Sequence, residues 1–193
     1  MVRKILRSGD PKLRGISKPV KVIDNKVRAI IIDLKDTLIS QKDPEGVGLA
    51  AVQIGKNIRI FVVNYKQSLA ASGGKQSLAG DAGKNFRRTV INPEIIESSF
   101  KKNPKKKSRT LRLYEGCLSL PNYYGPLKRD SYVKLKYLNE KGEETVEVFR
   151  NFPAQIILHE IDHLNGILFI DHLLKQKKPL YQLDGEEWKE VEL

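Results

Sequence analysis

His159, Glu160 and His163 stand in the run His159-Glu160-Ile161-Asp162-His163, at the spacing of a single chemical unit. A helix turns once in about 3.6 residues, so two histidines four apart project from one face with imidazoles close enough to share a cation. Glu160, the neighbour of a ligand rather than a ligand, is then placed to take a proton from water beside that cation and return it to a leaving group. This is hydrolytic machinery. A catalytic site of this kind keeps three protein ligands and one open position. The third donor expected here is Cys117, the single cysteine of the chain, in Glu115-Gly116-Cys117-Leu118-Ser119. The bland alternatives are a His-Glu string that falls by chance on an amphipathic helix, and a cysteine that is only a small buried hydrophobe. Conjunction favours a site, because two of the three histidines stand at ligand spacing and the sole cysteine lies in a glycine-flanked segment. His172, the remaining histidine, falls past the expected helix end and reads as a structural or solvated side chain.

A second segment, Gly46-Val47-Gly48-Leu49-Ala50-Ala51-Val52-Gln53, offers backbone without side chains beside small apolar walls. That suits a groove in which a peptide lies against the chain; the plain alternative is a pair of turns. It is not a phosphate cradle, since it lacks the GxGxxG spacing and no Lys-Ser or Lys-Thr follows.

With Asp10-Pro11-Lys12-Leu13-Arg14 near the start, these segments occur in an order and at separations that resemble the peptide deformylase family, over roughly residues 3 to 173. The resemblance implies removal of the N-formyl group from the initiator methionine of nascent polypeptides, with release of formate. It implies that Cys117, His159 and His163 hold one divalent metal, Fe2+ in the cell, with Zn2+, Ni2+ or Co2+ as replacements, and that Glu160 serves as general base and then acid. Gln53 and the backbone N–H of Leu118 would donate to the developing oxyanion. An apolar pocket for methionine would be built from Val47, Leu118, Phe152 and Gln155, with the peptide paired as an added strand against Gly46, Val47 and Gly48 and against Glu115 and Gly116. The family's arginine after its second motif corresponds to Arg129. Three positions depart from the family pattern: Leu158 where glutamine is common, Val52 where proline is, and Asn122 where glycine is. None removes a ligand or the catalytic carboxylate.

The elements that must position these residues are legible as periodicity. Val27, Ile30, Ile31, Leu34 and Leu38 predict a helix over 25–41 capped by Asp24, and a second helix is expected from Pro153 to Gly166. Strands are expected over 57–64, 89–91, 94–97, 110–114, 133–138 and 145–149, the last two joined by the turn Asn139-Glu140-Lys141-Gly142. The fold class is α+β: mixed or antiparallel sheets around one central metal-bearing helix, plus an N-terminal helix. The 193 residues, 40% hydrophobic, suit one catalytic domain over 1–193, with an insertion at 66–84 and a tail at 175–193 that ends in an edge strand.

One cysteine excludes an internal disulfide, and the start lacks the apolar core of a secretory signal. No run approaches the roughly 18 apolar residues of a membrane span. A soluble, cytoplasmic protein without membrane or DNA partners is expected. The net charge is +12, and six cations stand together at 101–109, Lys-Lys-Asn-Pro-Lys-Lys-Lys-Ser-Arg, which is either a solvated loop or a contact for ribosomal RNA. Two other functions fit parts of the pattern. A zinc endopeptidase would need Asp171 or His172 as third ligand, and a non-enzymatic RNA-binding module with a structural metal would need a fourth ligand.

Overall fold

A computed structural model describes residues 1–66, 85–99 and 110–192. The basic run 101–109 and residues 67–84 of the expected insertion lie outside the described residues. The fold is α+β, with two sheets in which every pairing between strands is antiparallel.

One sheet has five strands: β1 (Gly48–Ala50), β2 (Ile60–Lys66), β3 (Asn85–Ser98), β6 (Tyr132–Leu138) and β7 (Glu144–Arg150), in the order β1-β2-β3-β6-β7. The other orders β4 (Thr110–Cys117), β5 (Leu120–Asp130), β8 (Leu180–Asp184) and β9 (Glu187–Val191) as β4-β5-β8-β9. The run Ile60-Phe61-Val62-Val63 is apolar at every position because β2 is covered on both faces. Phe61 and Val63 face one core with Val90, Val133, Leu135 and Phe149, while Ile60 and Val62 face a second core with Ile91.

Helix α1 (Asn25–Ser40) covers the second face with Ile31, Leu34 and Leu38. Its start is fixed as expected, with the Asp24 carboxylate accepting from Val27 N at 2.8 Å. Helix α2 (Phe152–Leu164) covers the first face with Ala154, Ile157, Ile161 and Leu164. It also reaches β5, so it touches both sheets. Pro153 occupies its first turn, where a missing N–H costs nothing. Helix α3 (Phe169–Gln176) packs Phe169 and Leu173 under the four-stranded sheet against Leu127 and Leu180.

Several elements differ from the sequence expectation, β8 among them, since the tail reads as a single edge strand and forms the hairpin of β8 and β9. The strands expected at 89–91 and 94–97 are one strand, β3, bent at a bulge. Asn92 stands there at φ 51°, which asparagine tolerates, and its side chain both donates to and accepts from the Val20 backbone at 2.8 Å. β5 is absent from the sequence reading because Pro121, Asn122, Gly125 and Pro126 read as turn residues. Its pairing with β8 covers only Tyr123 and Tyr124, so Pro126 occupies a stretch hydrogen-bonded on one side alone. α3, at eight residues, is too short for its periodicity to stand out.

The five-stranded sheet is pinned across three strands by one carboxylate. Glu147 accepts from Arg88 Nε at 2.8 Å and Nη2 at 2.6 Å, and from the Tyr137 hydroxyl at 2.8 Å. Burial alone would raise its pKa, but these donors outweigh burial and hold the carboxyl below its ordinary range. A carboxyl depressed in the folded state stabilises above its unfolded pKa of about 4.3 and loses that contribution as pH falls. Glu147→Gln should therefore lower stability at pH 7 by about 1–2 kcal/mol in denaturant titrations. The gap from the parent should close toward about pH 3; a gap unchanged by acid would contradict this assignment.

Candidate metal centre and cleft

Helix α2 carries His159 and His163 on one face, with ring centroids 4.8 Å apart and planes at 85°. Strand β4 delivers Cys117 at its last position, just past a shift in register at Gly116 that re-aims the chain. The Cys117 sulfur stands 3.2 Å from His163 Nε2, and the donor atoms of Cys117, His159 and His163 lie within 4.8 Å of one another. One sulfur and two imidazole nitrogens form a donor set for a divalent transition metal, and three rather than four donors leave a position open. The electrostatics agree with that fit. Burial would raise the Cys117 thiol, yet the adjacent His163 and His159 hold it well below its ordinary range, toward the ligating thiolate.

Two of the three donor residues have outer partners: Ser119 N and Gln53 Nε2 stand against the Cys117 sulfur and Glu115 holds His159, while His163 Nδ1 has none among the described residues. His159 Nδ1 donates to Glu115 Oε1 at 2.6 Å, which leaves Nε2 for the centre and fixes the ring. Glu115 in turn accepts from Arg129 Nε at 2.9 Å and Nη2 at 2.5 Å, and from Gln155 Nε2 at 3.3 Å. Arg129 also donates from Nη1 to Asp162 Oδ2 at 2.6 Å, and His172 Nε2 meets the same oxygen at 2.8 Å. Burial would push the Glu115 carboxyl up, but Arg129 and His159 outweigh it and hold it far below the usual carboxylate range. Removing one partner of such a buried pair costs about 3–5 kcal/mol, because a charge is left without its counterpart.

Glu160 follows His159 in the chain and turns toward β1. Its carboxylate lies where a Cβ on Gly48 would overlap it, so any larger residue at that strand position would displace the carboxylate. Among the described residues Glu160 Oε2 has no hydrogen-bond partner although it is buried. Burial pushes its pKa up to about 7, against the opposing pull of His159 and His163. A carboxyl poised there can both take and give a proton near neutrality. Gln53 sits in the 3-10 turn Ala51–Ile54 directly after β1. Its Oε1 accepts from Ala50 N at 2.8 Å, while Nε2 donates to Ser119 Oγ at 3.1 Å and stands 3.6 Å from the Cys117 sulfur. The amide N–H groups thus point toward the centre.

These groups end a cleft of about 220 Å³. Its wall includes twelve of the residues singled out in the sequence: Gly46, Val47, Gly48, Gln53, Glu115, Gly116, Cys117, Leu118, Phe152, Gln155, His159 and Glu160. His163 is behind the wall, almost wholly buried. Gln155 lines the cleft while its Nε2 donates to Glu115, and Ile156 stands beside Phe152 in the lining. Tyr114, Tyr123 and Tyr124 also line the cleft and escape the sequence reading, the last two because β5 itself does. Of the departures from the family pattern, Asn122 stands at φ 66°, a conformation in which asparagine replaces glycine at small cost. Val52 and Leu158 pack into the core beside α2.

Comparison with known proteins follows the same lines. Residues 2–179 match the polypeptide deformylase family. A peptide deformylase from Rhizorhabdus wittichii is 35% identical over 181 residues, 93% of this chain and 90% of that protein. The crystal structure of a peptide deformylase from Ehrlichia chaffeensis superposes with a TM-score of 0.75 at 30% identity, covering 92% of this chain and 90% of that one. A Met-Ala-Ser-bound class I type b peptide deformylase from Acinetobacter baumannii gives 0.73 at 32%, with 89% and 98% covered. Motif order, fold and the Cys117, His159, His163 cluster point the same way as these likenesses, and the chain belongs to the peptide deformylase family.

Proposed function

We propose that this chain, as one catalytic domain over residues 1–193, hydrolyses the N-formyl group from the initiator methionine of nascent polypeptides. The observation that carries the reading is the buried, unpartnered Glu160 oxygen in the wall of the cleft beside three converging donors. The family is metal-dependent, and Cys117, His159 and His163 are the residues that would hold the ion. When bound, a divalent cation supplies Lewis acidity, lowering the pKa of water and polarising a carbonyl oxygen. Iron, zinc, nickel and cobalt all suit a thiolate with two imidazoles, and Fe2+ is our reading of the native ion.

The remaining steps belong to side chains. Glu160 accepts a proton from the water that attacks the formyl carbon. The Gln53 amide and the Leu118 N–H donate to the oxyanion that forms, an arrangement that supplies several kcal/mol in acyl transfer. Glu160 then gives its proton to the methionine nitrogen as the C–N bond breaks and formate leaves. Val47, Leu118 and Phe152, with Ile156, offer the methionine side chain an apolar wall. The Met-Ala-Ser bound by the Acinetobacter protein carries the free methionine amine that this reaction releases.

Neither competing function is favoured. Asp171 Oδ2 accepts from Leu168 N at 2.8 Å and from Arg14, and His172 is held by Asp162, so neither joins the cluster as an endopeptidase would require. Among the described residues the cluster has three donors, one short of a structural site.

Glu160→Gln should lower formate release from a formyl-Met-Ala-Ser peptide by at least about 100-fold while the bound metal stays near one per chain. Release at the parent rate would remove Glu160 from its role. Glu115→Gln should weaken metal retention about 10–100-fold against a competing chelator, because His159 keeps only a neutral acceptor and Arg129 loses its buried counter-charge. Equal retention would mean that the ring is positioned without that contact.

A further inference from the structure

A second cavity, of about 390 Å³, opens on the α1 face of the five-stranded sheet, where the last turns of that helix lie over β2 and β3. Side chains alternate along a strand, so Ile60, Val62 and Asn64 of β2 face α1 together with their β3 partners Ile91, Thr89 and Arg87. The first pair is packed in the core, the second brings a short hydroxyl side chain, and the third is polar. The helix does not follow that change: Leu38 and Ile39 continue it with apolar side chains, and Ile39 is 51% exposed. Between α1, the two strands and the turn Asn139-Glu140-Lys141-Gly142 there remains a hollow with an apolar floor of Leu38, Ile39 and Val62.

Its rim is cationic. Lys35, Arg87 and Lys141 line it with one carboxylate, that of Glu140, which takes the Lys35 ammonium and accepts from Thr89 Oγ1 at 3.5 Å. Arg88 also lines the hollow, but Glu147 meets its charge. Three cations against one carboxylate leave a surplus of two positive charges, which matches the charge of a phosphate monoester near neutral pH. Arg87 Nε donates to Asn64 Oδ1 at 3.1 Å, which orients the guanidinium and leaves its Nη groups for a bidentate acceptor. Among the described residues no carboxylate pairs with Arg87 or Lys141. Apolar surface open to water beneath convergent polar groups is the make-up of a small-molecule site. The hollow backs on the catalytic cleft without joining it. Leu38 stands against Gly46, where an added Cβ would come within 2.8 Å of it, and Asn64 N donates to Val47 O at 3.0 Å; Gly46 and Val47 line the cleft, and no residue lines both spaces.

We propose that Lys35, Arg87 and Lys141, over the floor of Leu38, Ile39 and Val62, bind a small molecule that joins a phosphate to an apolar body, at a site separate from the metal centre. Its occupancy requires no deformylase activity, so binding is measured directly, by calorimetric titration of the metal-loaded chain with phenyl phosphate. The probe should bind saturably, about tenfold more tightly than inorganic phosphate, because its ring covers the floor. Arg87→Ala combined with Lys141→Ala should weaken it at least about tenfold, and Ile39→Ser should reduce its affinity to about that of inorganic phosphate. Thermal midpoints near the parent's show that these variants fold; should the double variant melt early, Lys141→Glu alone, on an exposed turn, should give the same loss. Absence of saturable binding, equal affinity in the parent and the rim variants, or a ring preference that survives Ile39→Ser would overturn the proposal. So would competitive inhibition of formate release from formyl-Met-Ala-Ser with a constant equal to the Kd of phenyl phosphate, since that puts the probe at the metal centre.

Discussion

Glu115 ties the strand that carries the thiol to the helix that carries both imidazoles. It stands two positions before Cys117 on β4, its carboxylate takes the His159 N–H and the Gln155 amide of α2, and Arg129 of β5 closes the other side. Each partner is buried, so every charge in the group depends on another for its solvation. Arg129 extends the constraint to Asp162, one position before His163, and thereby anchors the second half of α2. Displacing any member moves a donor residue of the cluster, a helix turn or both. The centre is accordingly a property of where two sheets meet one helix rather than of three residues.

Close approach of backbone supplies the rest. The carboxylate of Glu160 can lie against β1 only because Gly48 has no side chain, and that closeness strips it of water and raises its pKa. Gly116 does the same for the Tyr124 ring on the opposite wall. Both glycines sit in strands where the residue would otherwise weaken pairing, which is a cost that packing alone would not repay. The unpartnered Glu160 oxygen is a similar sign, since a buried oxygen acceptor without a donor is unfavourable unless something else occupies the place beside it.

Much of this was legible in residue order because it is local. The Asp24 cap, the α1 stripe, Pro153 in the first turn of α2 and the four-residue spacing of the histidines each depend on neighbours within a turn. The lone, glycine-flanked cysteine beside two spaced histidines pointed to Cys117, and the family resemblance added Gln53 and Arg129. What stayed hidden depends on partners distant in sequence. β5 holds as a strand through β4, despite two prolines and a glycine that ordinarily end one. Asn92 bends β3 through contact with Val20, seventy-two positions away. His172 reads as a solvated or structural side chain, and its pairing with Asp162 depends on the packing of α3, which local periodicity does not reveal. The ring contacts of Trp188 with Tyr114 and Tyr124, and of Tyr114 with Tyr181, are invisible for the same reason, the four side chains coming from four strands.

The central claim is that one sulfur and two imidazole nitrogens of this chain hold a single divalent ion with a coordination place left for substrate or water. X-ray absorption at the metal edge of anaerobically purified protein tests it most directly. The account predicts one sulfur at about 2.3 Å and two nitrogens at about 2.0–2.1 Å, with the sulfur shell lost in Cys117→Ala. A spectrum without a sulfur neighbour, or one unchanged by that substitution, would contradict it.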